Sequence, residues 1–279
     1  MSPLNASCLQ FSVGGRSWRV AAERAHDLSI PLEFDAAQPN FFGAPHASAS
    51  PFIAGSFIGD VREGGSCNCA TLTLTPHCNG THTECLGHVT SSRIGVRDIA
   101  PTTFALARLV TIAPVDMAHT QERSVPLPHP GDALITRAAL EAAVKQASLS
   151  DCTALVVRTT PNPRAKLDRS YGPERPPPYF SADAMRWIVS YDIEHLVVDL
   201  PSVDRAADEG HLTTHRIFWG LAPRSIDATQ AGRPHATITE LAYIDDEIAD
   251  DLYLLNLQLA PFRTDAAPSR PLLLPLTAV

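Results

Sequence analysis

The chain has 279 residues, a formal charge of −8, 44% hydrophobic residues and 19% charged residues. This composition supplies enough apolar side chains for a core and excludes an intrinsically disordered protein. The negative charge argues against a nucleic-acid-binding protein, which would present a basic face.

The sequence also argues against a membrane protein or a secreted one. No apolar run reaches the ~18 residues that a membrane helix needs. Residues 1–24 lack a basic start followed by a continuous apolar stretch. We therefore expect a cytoplasmic protein with no nucleic-acid or membrane partner, in which the six cysteines are reduced.

Short apolar runs predict strands along much of the chain. Residues 70–75 alternate Ala-Thr-Leu-Thr-Leu-Thr, which is the two-residue period of a half-buried strand. Residues 155–157 and 196–198 both read Leu-Val-Val, a pattern typical of strands that are buried on both faces. The predicted strands are Ala70–Thr75, Leu109–Ala113, Ala154–Thr159, Leu196–Leu200, Ala236–Leu241 and Leu252–Leu259.

Two segments predict helices, and a proline-rich segment predicts a loop. Thr136–Gln146 contains good helix formers after Thr136, a residue suited to the N-cap. Ser181–Tyr191 opens on Ser181 and repeats its apolar residues at helical spacing. Pro173–Tyr179 contains four prolines and is expected to be a loop. Because no linker divides the chain, we predict one mixed α/β domain over residues 1–279, dominated by short strands with few helices.

Residues 76–88, Pro-His-Cys-Asn-Gly-Thr-His-Thr-Glu-Cys-Leu-Gly-His, concentrate the side chains that bind metals. They hold three of the 11 histidines, two of the six cysteines and one carboxylate. Zn²⁺ and its neighbours in the divalent series bind these nitrogen, sulfur and oxygen ligands. The density of the cluster indicates a metal site, because isolated structural histidines do not accumulate in this way.

The spacing within this cluster suggests which side chains converge. In an extended backbone, His82 and Glu84 lie on the same face because they are two residues apart. Cys78 and His88 share this parity, whereas His77 has the opposite parity unless the intervening turn bulges. The spacing therefore favours Cys78 as a further ligand and leaves His77 as the alternative.

Gly80-Thr81-His82-Thr83-Glu84-x-x-x-His88 resembles the signature of the cyclase family of metal-dependent hydrolases, which includes bacterial kynurenine formamidase (arylformamidase) and isatin hydrolase. The usual pattern of that family is His-x-Gly-Thr-His-x-Asp-x-Pro-x-His. The resemblance extends over nearly the whole chain, with further matches at Asp27-Leu28-Ser29, Val198–Asp204, His215, Glu240-Leu241-Ala242 and Pro268–Pro271.

This resemblance implies a β-rich α/β fold of the swivelling β/β/α type. It also implies one or two Zn²⁺ or Mn²⁺ ions and a small amide, formamide or lactam substrate whose C–N bond is opened. A place in tryptophan catabolism and a homodimer follow from the same resemblance. A lyase or a cyclase on the same scaffold is the alternative reaction.

Carried over residue by residue, the resemblance implies a role for five side chains. His82 and Glu84 would be metal ligands, and Glu84 could bridge two ions. His215 and Glu240 would complete the second site. His88 would be the general acid/base that passes a proton to the leaving nitrogen, a task suited to imidazole.

The motif departs from the family pattern at three positions. Cys78 stands where the family has its first histidine, Glu84 replaces an aspartate, and Leu86 replaces a proline. A cysteine thiolate would favour zinc over manganese. Further along the chain, His211 lies at helical spacing from His215 and is an alternative to it, although the residues that follow favour His215.

Residues outside the motif add weaker candidates. Phe41 and Phe42 lie in a stretch rich in proline, asparagine and glycine, and could cover the substrate or anchor the loop in the core. Asp199 and Asp204 follow a buried strand, where they could serve the site or hold a loop by hydrogen bonds.

Two competing interpretations of the cysteines are less favourable. A structural zinc site could use Cys67, Cys69, Cys78 and Cys85, but such sites usually contain Cys-x₂₋₄-Cys pairs and no carboxylate. A nucleophilic Cys85 with His88 as its base would leave His82 and Glu84 without a role. The ligand cluster together with the family resemblance therefore predicts a metal-dependent hydrolase.

Overall fold

A computed structural model describes residues 9–13, 15–99, 104–144, 149–172 and 176–279 of the chain. The described strands are β1 Gln10–Val13, β2 Arg16–Val20, β3 His26–Asp27, β4 Ser48–Pro51, β5 Ile53–Ala54, β6 Phe57–Ile58, β7 Ala70–Thr73, β8 His82–Glu84, β9 Phe104–Ile112, β10 Val115–Asp116, β11 Ala133–Ile135, β12 Ala154–Thr159, β13 Tyr179–Phe180, β14 His195–Val198, β15 Thr237–Glu240, β16 Leu252–Leu259 and β17 Ala266–Ala278. The described α-helices are α1 Pro76–Asn79, α2 Val96–Ile99, α3 Arg137–Val144, α4 Ala182–Val189 and α5 Thr213–Phe218. Single 3₁₀ turns cover Ala22–Arg24, Val61–Glu63, Leu86–Val89, Met117–His119, Arg164–Leu167 and Ala228–Gln230.

A closed ring of strands forms the centre of the fold. The order of hydrogen-bonded neighbours is β17-β16-β9-β12-β14-β15-β8, and β8 pairs back onto β17. β9, β12, β14 and β15 run parallel to one another, whereas the other pairs in the ring are antiparallel. Smaller sheets join β10-β11-β13, β4-β7 and β5-β6. Because a ring leaves its strands without free edges, the ends of β8, β15 and β17 are held at fixed positions.

The core lies on both sides of this ring. All residues of β12 and β14 are buried. Leu155 and Leu196 face a cluster that includes α3 and α4, whereas Val156 and Val197 face a second cluster with Leu109 of β9. The prediction that these strands are buried on both faces is confirmed.

Most predicted elements are present in the structure. Each of the six predicted strands overlaps an observed one, and β9 begins earlier than expected, at Phe104. The predicted caps are also present, because Thr136 Oγ1 accepts a hydrogen bond from the N–H of Ala139 at 3.1 Å and Ser181 Oγ from that of Ala184 at 3.0 Å. The end of the first predicted helix, residues 145–148, lies outside the described residues.

One local prediction is wrong, and another can be compared with the structure over only part of its length. β7 is a strand, but all four of its residues are exposed because it pairs with β4 in a two-stranded sheet beside the ring, so the predicted half-burial is wrong. Within the proline-rich segment, residues 173–175 lie outside the described residues and 176–178 have no regular structure, whereas Tyr179 already belongs to β13. In the described part of the chain, no helix has the length and apolar character that crossing a membrane requires.

Candidate metal centre

The motif residues lie where the ring closes, between β15 and β17. In the register of β8 and β15, His82 lies opposite Glu240. His82 and Glu84 are fully buried and stand two residues apart on β8, so the predicted shared face is confirmed. The hydrogen bonds of the flanking strands therefore fix both motif side chains and place Glu240 next to them.

The hydrogen bond of His82 determines which ring nitrogen faces the site. Nδ1 lies 3.0 Å from the carbonyl oxygen of Gly80 and donates to it, because a carbonyl can only accept. Nε2 therefore carries the lone pair, and it lies 3.5 Å from Oε2 of Glu240. This arrangement directs an imidazole lone pair at a carboxylate.

His215 is oriented in the same way by an acidic partner. Its Nδ1 lies 2.7 Å from Oδ2 of Asp204, a carboxylate that also accepts the backbone N–H groups of Thr214 and His215. Nε2 thus faces the site, 2.9 Å from Oε1 of Glu84 and 3.5 Å from Oε1 of Glu240. A carboxylate behind a histidine is the common way to orient an imidazole ligand.

His82, Glu84, Glu240 and His215 form what we call the inner set. Nε2 of His82, Nε2 of His215 and both carboxylate oxygens of Glu84 are buried, and none has a hydrogen-bond partner among the described residues. Burying such polar atoms without partners is costly, and two facing acceptors repel unless a cation or a proton lies between them. Ligand atoms of His82, Glu84 and Glu240 all lie within 4.8 Å of one another, so the residues present fit a divalent ion.

His77, His88 and Asp265 form what we call the outer set, on the other side of Glu84. Oδ2 of Asp265 accepts hydrogen bonds from Nε2 of His77 at 2.8 Å and from Nδ1 of His88 at 3.2 Å. The remaining nitrogens, Nδ1 of His77 and Nε2 of His88, face Oε2 of Glu84 at 3.2 Å and 3.7 Å. His77, Glu84 and His88 form the second group whose geometry could hold an ion.

The electrostatics of both sets favour added positive charge. Burial disfavours a charged imidazole, but Glu84, Asp204 and Glu240 outweigh it and raise the pKa of His215 well above its usual value. Burial likewise opposes the charge on His77, yet Asp265 and Glu84 raise the pKa of His77 to about 10. Burial alone would raise the pKa of the Glu84 carboxyl, but His88 and His215 hold that pKa well below its usual range. The carboxylates therefore draw protons onto His215 and His77, and a bound cation could replace these protons as the balancing positive charge.

The reason for preferring Cys78 over His77 does not hold in the structure. The preference assumed an extended backbone, but Pro76–Asn79 is a short helix, so the two-residue alternation does not apply there. His77 faces Glu84, whereas Cys78 belongs to neither of the two groups that could hold an ion. Burial and the nearby Glu240 also raise the pKa of the Cys78 thiol, which disfavours the thiolate that a metal requires.

Phe41 and Phe42 lie beside both sets. The two rings are 3.9 Å apart between centroids, and with His77, His88, His215 and Glu240 they line a pocket of about 60 Å³. Phe41 is buried and packs with Tyr171 and Leu241, whereas Phe42 is exposed. The position of the two rings is compatible with both predicted roles, covering the pocket and anchoring the loop.

The remaining candidates lie away from a shared ligand position. His211 bonds to Arg224 on the surface, at 3.0 Å. Asp199 accepts hydrogen bonds from the N–H of Thr159 and from Nζ of Lys166, so it holds the ends of β12 and β14 together.

The cysteine-based alternatives gain no support from the structure. Cys67 and Cys69 are exposed, and within the described residues no group of potential ligands contains a cysteine. Burial raises the pKa of the Cys85 thiol to about 12, which makes it a poor nucleophile at neutral pH.

Sequence reasoning missed Asp265. Its backbone oxygen accepts from the N–H of Cys85, because Asp265 directly precedes the segment of β17 that pairs with β8. Its carboxylate is thereby placed between two histidines, and their hydrogen bonds hold its pKa below its usual range. No spacing rule connects residues 180 positions apart, so only the pairing of the two strands reveals this contact.

Comparisons with known proteins agree with this architecture. The model of the Cyclase family ("Putative cyclase") matches residues 26–205. The structure of isatin hydrolase A from Labrenzia aggregata bound to benzyl benzoate is 14% identical, with a TM-score of 0.61 over 90% of this chain and 93% of that one. The structure of a predicted metal-dependent hydrolase from Bacillus stearothermophilus is 16% identical, with a TM-score of 0.56 over 90% of this chain and 98% of that one. A search of curated proteins found no match.

At these identities the solved structures show a shared fold, which confirms the predicted strand-rich α/β fold with few helices. The family match covers more than half of the chain and includes β8, the whole metal-binding motif and Asp204. The chain therefore belongs to the cyclase family.

Proposed function

We propose that this protein is a metal-dependent hydrolase that opens the C–N bond of a small amide, formamide or lactam. The observation that carries the proposal is the inner set, in which imidazole nitrogens and carboxylate oxygens converge in a buried space without hydrogen-bond partners among the other described residues. The fold shared with isatin hydrolase supports the choice of a cyclic or acyclic amide as substrate.

The inner set would hold the ion through Nε2 of His82 and His215 and through the carboxylates of Glu84 and Glu240. When bound, a divalent ion polarises a carbonyl and lowers the pKa of water from about 15.7 to about 7. Nitrogen and oxygen ligands suit both Zn²⁺ and Mn²⁺, and the argument for zinc from sulfur no longer applies once Cys78 is set aside. A second ion against Glu84, His77 and His88 is the alternative to a proton-transfer role for His88.

His88 is the residue we assign to proton transfer. Asp265 accepts the Nδ1 hydrogen, which leaves the Nε2 lone pair on the side of Glu84 and of the small pocket. From that position Nε2 can take a proton from the attacking water and pass it to the leaving nitrogen. The side chain of His88 is about one quarter exposed, so it can exchange protons with solvent after each turnover.

Metal analysis combined with activity assays tests this function. The protein should contain a divalent ion as purified, lose activity on chelation and regain it with Zn²⁺ or Mn²⁺. N-formylkynurenine, isatin and simple lactams are the first substrates to assay. A protein that stays folded without metal and gains no activity with either ion would contradict the proposal.

Two further measurements separate the alternatives. Incorporation of ¹⁸O from labelled water into the product distinguishes hydrolysis from a lyase or cyclase reaction. If the ion were purely structural, chelation would unfold the chain and His88→Ala would change nothing. The homodimer, the cytoplasmic location and the link to tryptophan catabolism stay predictions.

A further inference from the structure

A second, larger cavity adjoins the small pocket. Its volume is about 630 Å³, within the range of pockets that enclose small organic ligands. Phe41, Phe42 and Arg205 line both the cavity and the small pocket. A substrate whose amide lies at the metal centre could therefore extend its remaining part into this cavity.

Arg205 is held at the boundary between the two spaces. Its Nε donates to Oδ2 of Asp132 at 2.8 Å, and its Nη1 donates to the backbone oxygen of Ala207 at 2.7 Å. Nη2 forms no hydrogen bond with any of the described residues. The guanidinium is thus fixed on two sides, and its third nitrogen has two donors that no described residue accepts.

Two acidic groups near Arg205, its ion-pair partner Asp132 and Asp208, also accept hydrogen bonds from other donors. Asp132 is nearly buried and also accepts from the Tyr179 hydroxyl at 2.8 Å. Asp208 accepts the backbone N–H groups of Gly210 and Leu212. Among the described residues that line either space, Arg205 is the only arginine or lysine.

The other walls of the cavity are mainly apolar. Phe41, Phe42 and Tyr171 present aromatic rings, and Phe41 meets Tyr171 edge to face at 6.5 Å. Asp132 and His129 also line the cavity, but the Asp132 carboxylate is nearly buried and already accepts from Arg205 and Tyr179. A mainly apolar cavity with one arginine among its described residues suits a ligand that has an apolar body and one anionic group. Arginine binds carboxylates more strongly than neutral acceptors, because both the charge and the planar donor geometry match.

We infer that Arg205 selects substrates bearing a carboxylate, which it binds while their apolar body occupies the cavity beside Phe41 and Tyr171. This inference rests on the proposed function for the reacting end of the substrate. It adds a specificity-determining residue and defines the substrate class as an acidic amide or lactam.

A matched pair of formanilides tests the inference. 4-Formamidophenylacetate carries a carboxylate, and 4-ethylformanilide is its neutral analogue of similar size. The readout is the ratio of kcat/KM for the acidic compound to kcat/KM for the neutral one, measured on the metal-loaded protein. We expect wild type to prefer the acidic compound and Arg205→Gln to lower the ratio by about 10- to 100-fold, the range for a lost hydrogen bond to a charged group. Arg205→Lys should lower it less, because the charge remains.

Tyr179→Phe is the matched control. It removes another donor to Asp132 but leaves the guanidinium in place, so the ratio should stay within a few-fold of the wild-type value. A ratio that falls as far in Tyr179→Phe as in Arg205→Gln would overturn the inference, since the effect would then come from disturbance around Asp132. A wild-type ratio near one would overturn it as well.

Calorimetric binding of 4-formamidophenylacetate keeps the inference separate from the proposed function. If neither compound is hydrolysed but binding weakens about 10- to 100-fold in Arg205→Gln, the inference stands and the proposed function fails. If both compounds are hydrolysed and binding is equal in the two proteins, the carboxylate is bound elsewhere, for instance by the metal ion. The inference then fails and the proposed function stands.

Discussion

The inner and outer sets meet at Glu84 but differ in burial and in what fixes them. Side chains of the inner set are at most 4% exposed, whereas those of the outer set are 23–41% exposed. The inner set is mounted on β8, β15 and α5, and its imidazoles are oriented by Gly80 and Asp204. The outer set lies on two short helical turns and a loop, and a single partly exposed carboxylate, Asp265, orients both of its histidines.

This difference suggests that the two sets, which meet at Glu84, have different roles. Rigid, buried positions keep ligand geometry within the narrow limits that an ion requires. A partly exposed histidine can exchange its proton with substrate and solvent, which a fully buried one cannot do readily. We therefore assign ion binding to the inner set and proton transfer to the outer set, and the following variants test this division.

Glu84→Gln should have the largest effect, because Glu84 belongs to both sets. The variant keeps the shape but removes a negative charge that faces three histidines. We expect loss of bound metal and a fall in activity beyond the ~10–100-fold that is typical of changes behind the ligands. Elemental analysis and steady-state kinetics measure both effects. Glu63→Gln, at an exposed turn beside the ring, is the control. Full metal content in Glu84→Gln would contradict the assignment of the inner set.

His88→Ala separates the two sets. If the outer set transfers protons, the variant should keep its metal while activity falls by about 10²–10⁴-fold. Metal content per chain and kcat are measured on the same preparation, with His119→Ala on an exposed turn as the control. A loss of one metal equivalent would instead show that the outer set holds a second ion, and the division would have to be abandoned.

Much of the inner set was predictable from the sequence because its contacts are local or lie at strand ends. The two-residue spacing of His82 and Glu84 is sufficient to place both on one face of a strand. Continuous apolar runs correctly predicted the buried strands β12 and β14. Glu240, in contrast, was identified only through the family resemblance, because nothing in its local sequence indicates that β15 lies beside β8.

The outer set was predicted less well, for physical reasons that are specific to its residues. Pro76 favours the first turn of a helix, and that turn, rather than strand parity, determines which of His77 and Cys78 faces Glu84. Asp265 reaches the site only because β17 closes the ring against β8. The exposure of β7 is likewise set by its partner strand and not by its own alternating pattern.

Asp204→Asn tests how the inner set is oriented. The carboxylate accepts the Nδ1 hydrogen of His215, so an amide in its place weakens that bond and allows the ring to rotate. We expect metal affinity to fall by about 10–100-fold, the usual cost of losing such a partner. Competition with a chelator of known affinity measures the change. Asp227→Asn, at an exposed 3₁₀ turn, should leave the affinity unaltered. Unchanged affinity in Asp204→Asn would mean that His215 is not an ion ligand.

His195 shows what burial does to a histidine that has no carboxylate partner in the described part of the chain. It lies at the start of β14, bonds to Thr237 and has its pKa lowered by burial to about 4. Because the unfolded chain binds a proton near pH 6.5 and the folded one does not, the stability that His195 contributes is complete above pH 6.5 and is lost as the pH falls toward 4.

The unfolding free energy should show this difference directly. Between pH 7 and pH 5, wild type should lose about 2 kcal/mol more than His195→Asn. Urea denaturation at the two pH values measures both proteins, and the comparison cancels the titration of other groups that they share. Equal pH dependence in the two proteins would show that the folded chain protonates His195 as readily as the unfolded chain does.

Cys78→Ala should have the smallest effect. The thiol is buried beside the inner set, yet it belongs to neither group of converging ligand atoms, and its raised pKa keeps it protonated at neutral pH. We expect metal content and affinity to remain at the wild-type level, with a loss of about 1 kcal/mol in stability from the removed sulfur. His77→Ala is the matched comparison on the same short helix, because its ring faces Glu84 at 3.2 Å. A fall in metal affinity in Cys78→Ala, with none in His77→Ala, would restore cysteine as the ligand and would require the helix at residues 76–79 to turn when the ion binds.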